Sequence, residues 1–174
     1  YSFDNRESGL NPNAGVFFRL RSNYAGIGGD AEYIRTQGLA IAERAVLREE
    51  VTLRATVEGG AVTALDGDSH YTDRFTLTSR QMRGFEPSGL GPRDLNVPNR
   101  DALGGNYFAV ARFEAAFPLG LPDEYGLSGG LFYDVGSVWG LDNVDGGASG
   151  TDGLELVDDS LIWRSTIGFS VFWD

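Results

Sequence analysis

The segment Val51–Glu58 reads VTLRATVE, and apolar and polar residues alternate along its whole length. Successive side chains of a β-strand point to opposite faces, so this pattern predicts a strand with one apolar face and one polar face. The same alternation recurs along Val16–Tyr24, where Phe17 is the exception, and along Trp163–Trp173. Three segments far apart in the chain therefore indicate a sheet that is apolar on one side.

Further segments are plausible strands, although their alternation is less regular. They are Tyr1–Arg6, Tyr33–Ala42, Asn106–Phe117 and Gly126–Trp139. The strongest helix candidate, Leu39–Glu50, is rich in helix formers, but it overlaps the end of a predicted strand and the turn that follows. We therefore predict an all-β chain of about seven antiparallel strands.

The predicted connections alternate between short and long. Residues 7–15, 43–50 and 118–125 form short connections, whereas 63–105 and 140–161 are long. Every second connection of an antiparallel sheet lies at the same end of the sheet. One end therefore has short turns and the other has long loops. This asymmetry is typical of outer-membrane β-barrels, although a soluble sandwich can also show it. Loops as long as 63–105 are usually functional or disordered.

Strand length and aromatic placement favour the membrane barrel. Several predicted strands have about 9 to 12 residues, which suits a tilted crossing of a bilayer. Aromatic residues gather near strand ends, at Tyr24, Tyr107, Phe117, Trp139, Trp163 and Trp173. Such rings form girdles at the membrane interfaces of outer-membrane barrels. The alternative is that they cap an ordinary core.

Composition excludes several classes of function. The 174 residues contain 14 Lys and Arg against 25 Asp and Glu, a net charge of −11, which argues against nucleic-acid binding. Cysteine is absent and histidine occurs once, so disulfides, thiolate chemistry and a multi-histidine metal site are excluded. No apolar run reaches the roughly 18 residues of a membrane helix.

Two weak motifs do not support an enzyme or a metal site. Gly67-Asp68-Ser69-His70 faintly resembles a serine-hydrolase block, but its histidine follows the serine directly, and no other histidine could act as base. The acidic residues from Asp142 to Asp159 resemble a calcium loop in composition, yet the spacing fails at Val144. We interpret them as a solvated external loop. No catalytic residue, cofactor or metal site is predicted.

A series of motifs spans nearly the whole chain. The long loop contains Met82-Arg83-Gly84-Phe85 and Gly91-Pro92-Arg93-Asp94, and Gly104-Gly105-Asn106 leads into a strand with Glu114. Phe132–Trp139 then reads FYDVGSVW. With Asp4-Asn5-Arg6, Pro12 and Gly15, this order resembles the C-terminal barrel of the BamA-like outer-membrane protein assembly factors, a superfamily that includes TamA. The mitochondrial sorting proteins and two-partner secretion transporters stay open as alternatives.

The resemblance implies a specific anchor for the loop. In that family the arginine of the loop motif reaches into the barrel lumen and pairs with acidic residues of the wall, here Arg83 with Glu114 and Asp134. Gly84 and Phe85 complete the loop motif. Alternation agrees in part, because Glu114 and Asp134 fall on the polar faces of their strands, where a carboxylate avoids lipid. The alternative is three separately solvated charges.

The resemblance also implies a domain organisation. Residues 1–174 would form a partial C-terminal β-barrel of the bacterial surface antigen type, with the lumen loop at about 63–105. They would correspond to strands eight to fourteen of a barrel of about sixteen strands. The N-terminal periplasmic repeats and the closing strands would be absent, because the chain stops at Phe172-Trp173-Asp174.

The function implied by the resemblance is non-enzymatic. The protein would insert other β-barrel proteins into the outer membrane of a Gram-negative cell without a cofactor. Its partners would be client outer-membrane proteins, accessory assembly lipoproteins and the lipid bilayer. The alternative is a soluble all-β binding domain, a lectin-like or cation-binding sandwich.

Overall fold

A computed structural model describes residues 1–5, 14–26, 32–47, 50–95, 97–122, 125–144 and 157–173. Its strands are β1 (Ser2–Asp4), β2 (Ala14–Ala25), β3 (Glu32–Val46), β4 (Val51–Asp66), β5 (Arg93–Asp94), β6 (Tyr107–Pro118), β7 (Leu127–Trp139), β8 (Val157–Asp158) and β9 (Arg164–Trp173). No helix in these ranges is both long enough and apolar enough to cross a membrane.

Seven of the strands form one antiparallel sheet in the order β1-β2-β3-β4-β6-β7-β9. The two short strands β5 and β8 pair separately and join the long loop to the connection after β7. The all-β prediction and the seven-stranded antiparallel sheet are confirmed. A sandwich is wrong, because within the described ranges no second large sheet packs on the first. The sheet is a section of a barrel wall and does not close.

The two faces of the sheet differ in chemistry as the alternation predicts. We call the face that carries the long loop the inner face and the opposite one the outer face. Outer-face side chains are large, apolar and exposed, and include Val16, Phe18, Leu20, Leu53, Val57, Phe113, Leu131, Tyr133, Ile167, Phe169 and Val171. The register aligns Thr56, Arg112, Asp134 and Thr166 as a polar row across the inner face.

Two strands extend further than their alternation predicts. Strand β3 continues to Val46 and β4 to Asp66, so the long loop begins at Gly67 rather than at residue 63. The pair Gly59-Gly60 hides the continuation of β4, because glycine carries no apolar or polar signal. A Cβ on Gly60 would lie 2.7 Å from the rings of both Phe108 and Phe75. Glycine is therefore required where these rings pack on the strand.

The long loop, residues 67–106, supplies much of the core on the inner face. Four of its apolar side chains pack with four from the strands, and the buried cluster comprises Phe75, Leu77, Met82, Leu90, Val62, Phe108, Val110 and Val138. Gly91 has φ +109°, and a Cβ there would lie 3.0 Å from Val138. The backbone of the loop therefore lies directly against the wall, and the loop is part of the folded structure rather than a solvated excursion.

Candidate functional site

A tight turn at Thr78–Gln81 comes directly before the loop residues that carry the predicted motif. The amides of Gln81 and Met82 both donate to the carbonyl of Thr78 at 3.0 Å. The Oε1 atom of Gln81 accepts from both the amide and the hydroxyl of Thr78 at 3.1 Å. This closed turn fixes the direction in which residues 82–85 leave it.

Met82 inserts between the loop and the wall. Its side chain has no solvent exposure. Opposite it, a Cβ on Gly136 would lie 3.0 Å from its sulfur and 2.9 Å from Val110. Because Gly136 has no side chain, the sheet has a depression at this position, and the unbranched, flexible side chain of Met82 fills it.

Arg83 forms the apex of the loop and binds both predicted acids. Its Nε and amide donate to Oδ2 of Asp134 at 2.8 and 3.1 Å, and one terminal nitrogen donates to Oδ1 at 2.5 Å. The other terminal nitrogen donates to Oε1 of Glu114 at 2.6 Å. The guanidinium also lies 3.9 Å from the centre of the Phe132 ring, which suits a cation–π contact. The contact with Asp134 is bidentate and charge-assisted, the strong kind of hydrogen bond.

The carboxylate of Asp134 needs these contacts because it is shielded from water. Asp134 has 0% exposure, whereas the side chains of Arg83 and Glu114 retain 27% and 34%. The hydrogen bond to Asp134 raises the pKa of Arg83 and outweighs desolvation, and Glu114 adds to the rise. Because arginine stays charged at any relevant pH, the cation of this ion pair is present throughout that range.

Gly84 and Phe85 complete the motif. Gly84 has φ +82°, a left-handed conformation that favours glycine, and a Cβ there would lie 3.1 Å from Oγ1 of Thr166 on β9. Phe85 is half-buried against the core cluster. The loop therefore crosses the sheet from β4 and β6 toward β7 and β9, and the structure brings together the five predicted residues at this crossing.

A second ion pair on the inner face was not predicted. Arg112 on β6 donates to Oε1 of Glu58 on β4 at 2.8 Å and to the carbonyl of Arg80 at 2.7 Å. Gln81 donates to Oε2 of Glu58 at 3.2 Å. The alternation places Glu58 and Arg112 on the polar faces of their strands, which is the signal that could have identified them as candidates.

A polar network at the base of the loop includes Asp142, which is exposed as the interpretation of a solvated loop predicts but also accepts hydrogen bonds. Its carboxylate accepts from the amide of Ser69 at 2.7 Å and from Nδ2 of Asn106 at 2.9 Å. Ser69 donates from its hydroxyl to Asn106 at 2.7 Å, and Arg74 donates to the hydroxyl and carbonyl of Ser69 at 2.9 and 2.6 Å. Asp142 is therefore structural, and it joins both ends of the loop to the connection after β7.

The pKa of Asp142 reflects this environment. Desolvation favours its neutral form, but the hydrogen bonds from Ser69 and Asn106 and the charge of Arg74 outweigh that effect, so the pKa lies below its ordinary value. The rest of the acidic stretch falls partly outside the described residues, from 145 to 156. Arg6 and Pro12 of the N-terminal motif also lie outside them.

Among the residues that the structure describes, no group of three or more His, Cys, Asp or Glu side chains is arranged to hold a metal ion.

The chain is similar to known proteins in sequence and in fold. Residues 1–174 match the Omp85 superfamily domain. The chain is 34% identical over 164 residues to the outer membrane protein assembly factor BamA of Neorickettsia risticii (strain Illinois), covering 94% of this chain and 20% of that protein. It superposes with a TM-score of 0.79 on the crystal structure of BamA from Haemophilus ducreyi lacking POTRA domains 1–3.

That superposition covers 99% of this chain and 35% of the solved chain at 16% identity, which establishes the shared fold. The chain thus spans about a fifth of the curated relative and about a third of the solved chain. The predicted resemblance to BamA is confirmed, and the chain belongs to the Omp85 superfamily.

Proposed function

We propose that residues 1–174 are part of a BamA-like barrel in the outer membrane, which assembles and inserts other β-barrel proteins without enzymatic chemistry. The observation that carries the proposal is the contact of Arg83 with both Asp134 and Glu114 inside a chain of this superfamily. The chain contributes a section of barrel wall together with the loop that fills part of the lumen.

The outer face supports a location in lipid. Its large apolar side chains are exposed along the strands, and Ile167 and Phe169 reach 78% and 58% exposure. Exposed apolar surface on this scale indicates contact with a membrane or with a protein partner. Because the chain belongs to the Omp85 superfamily, we infer that this face contacts the membrane. At the end of the sheet that carries the long loop, Trp139 lies 6.0 Å from Tyr107 and 6.2 Å from Trp163, between ring centres. This row of rings suits the interface between lipid and water.

The loop contacts support a positioning role for the proposed site. Arg83 binds both carboxylates, and Asp134 uses both of its oxygens for this contact. The loop would therefore set the shape of the lumen in which a client protein is handled. The partners we propose are client outer-membrane proteins, accessory assembly lipoproteins and the bilayer, by analogy with the relative named an outer membrane protein assembly factor.

Substitution of Arg83 tests the proposal in the intact protein. We expect Arg83→Ala to reduce the insertion rate of a model outer-membrane barrel by more than tenfold. The variant leaves the buried carboxylate of Asp134 without its cation, and the cost of that loss exceeds the roughly 1.4 kcal/mol that corresponds to a tenfold change. Insertion is measured with purified protein in lipid vesicles, as the rate at which the client becomes protected from protease.

Arg80→Ala is the matched control. Arg80 lies in the same loop with an exposed side chain, and its contact with Arg112 uses its carbonyl oxygen. We expect insertion to be unchanged by this variant. Equal insertion rates for Arg83→Ala and the unmodified protein would contradict the proposed role of the anchor, and inactivity of the unmodified protein would contradict the proposed function itself.

A further inference from the structure

We propose that Glu58 and Arg112 are positioning residues that seat the Thr78–Gln81 turn, and thereby present Arg83 to Asp134. This inference rests on the proposed function, because it assigns a second holding point to the same loop. We call Glu58 and Arg112 the wall pair, and Arg83 with Glu114 and Asp134 the apex group.

The wall pair is oriented toward the loop by its own geometry. Arg112 uses one terminal nitrogen for Glu58 and the other for the carbonyl of Arg80, so a single guanidinium joins the strand pair to the loop. Glu58 divides its two oxygens in the same way, between Arg112 and Gln81. Two side chains from neighbouring strands therefore make one contact each with the loop and one with each other.

Gln81 makes the contact specific. Its carbonyl oxygen accepts from the amide and hydroxyl of Thr78, which leaves its amide nitrogen to donate to Glu58. The side chain thus closes the turn with one end and binds the wall with the other. An ionised carboxylate can only accept, so Glu58 matches this nitrogen and would not match the opposite orientation of the amide.

The position of the turn determines where Arg83 emerges. Only Met82 separates Gln81 from Arg83, and two residues span at most about 7 Å of extended chain. Fixing Gln81 against β4 and β6 therefore leaves the backbone of Arg83 within a narrow region above β6 and β7. The amide of Arg83 itself donates to Asp134, which requires the backbone and the side chain to be placed together.

A buried position beneath the loop provides a probe of this seating. Residues 1–174 contain no cysteine, so a thiol introduced among them is the single one in this part of the chain, and any cysteine elsewhere in the intact protein is first replaced by serine. Val110 has 1% exposure and lies in the cluster with Met82 on the inner face. In a Val110→Cys background, labelling by a water-soluble maleimide in the intact, membrane-embedded protein measures how often the loop lifts.

We expect Arg112→Ala and Gln81→Ala each to raise the labelling rate roughly fivefold or more, the factor that the loss of about one hydrogen bond produces. Arg54→Ala is the matched control, since the ion pair of Arg54 with Glu43, at 2.8 Å, also joins two neighbouring strands on the inner face and involves no loop residue. We expect the control to label at the unmodified rate. A purely structural role of the wall pair would make Arg112→Ala and Arg54→Ala equivalent.

Unchanged labelling in Arg112→Ala and Gln81→Ala would overturn the inference. Equal acceleration in Arg54→Ala would also overturn it, because opening would then follow any loss of an ion pair between strands. The labelling rate does not depend on client insertion, so the positioning role can fail while the proposed function stands. An unmodified protein that does not insert clients, yet shows the expected labelling pattern, would overturn the function and retain the positioning contacts.

Discussion

The apex group and the wall pair lie side by side on the inner face, but they differ in which part of the chain supplies the charges. In the apex group the loop supplies the cation, Arg83, and the strands supply both acids. In the wall pair the strands supply both charges, and the loop adds only a carbonyl from Arg80 and an amide from Gln81.

This difference determines what happens to the strands when the loop leaves. Withdrawal from the wall pair removes two hydrogen bonds but leaves Glu58 and Arg112 paired with each other. Withdrawal from the apex group leaves Asp134, which has no exposure, without its cation. An unpaired buried charge costs more than hydrogen bonds lost from two opposite charges that remain paired with each other. The apex group therefore makes the seated loop necessary for the wall, while the wall pair sets where the loop sits.

The largest effect expected from this comparison is on stability. Arg83→Ala should lower the free energy of unfolding by about 3–5 kcal/mol, because it removes one partner of a buried ion pair. Urea unfolding in detergent micelles, followed by tryptophan fluorescence, measures the change. Neutralising the orphaned acid should recover part of the loss, so Arg83→Ala with Asp134→Asn is expected to be more stable than Arg83→Ala alone. A double variant no more stable than the single one would show that burial of Asp134 does not cause the loss.

A smaller effect is expected from the backbone that follows the apex. Gly84→Ala should cost about 1–3 kcal/mol, since it places a side chain at φ +82° and brings its Cβ to 3.1 Å from Oγ1 of Thr166. Combining it with Thr166→Ala separates the two causes in the same unfolding measurement. If the steric contact dominates, the second substitution restores most of the stability. Stability equal to that of the unmodified protein in Gly84→Ala would contradict both causes.

The smallest effect concerns the base of the loop, where Asp142 is exposed and its contribution is screened. Its pKa in the folded protein lies below the unfolded value of about 3.9. The stabilisation is therefore present above that unfolded value and is lost as the pH falls through the lower folded pKa. The free energy of unfolding should decrease more steeply below about pH 4 in the unmodified protein than in Asp142→Asn. Identical pH profiles would exclude this contribution.

Much of the wall could be predicted from local pattern. Alternation in Val51–Glu58 and Trp163–Trp173 identified two strands and their apolar faces, because side-chain direction in a strand depends only on the parity of the position. The same rule placed Glu114 and Asp134 on the inner face. It failed at Gly59-Gly60, where glycine carries no pattern and the strand continues because its neighbours pair with it.

The partners within the site were harder to predict. Arg83 was matched to its acids through resemblance to a family, since parity assigns a face and not a partner. The alternation places Glu58 and Arg112 on the polar faces of their strands. Nothing in the sequence indicated that these two residues pair with each other, because the long loop separates their strands in the chain. The hydrogen bonds of Asp142 were not predicted, because its partners, Ser69 and Asn106, lie 73 and 36 residues away.

The sequence by itself determined the all-β class, the alternating faces and the absence of cysteine chemistry in residues 1–174. These follow from residue type and from a period of two, which are local properties. The tertiary structure alone decided that Asp134 is fully buried, that the wall pair contacts the turn at Arg80 and Gln81, and that hydrogen bonds hold the loop at its base. Those facts depend on strand register and on the path of the loop across four strands, which bring together residues 23 to 73 positions apart.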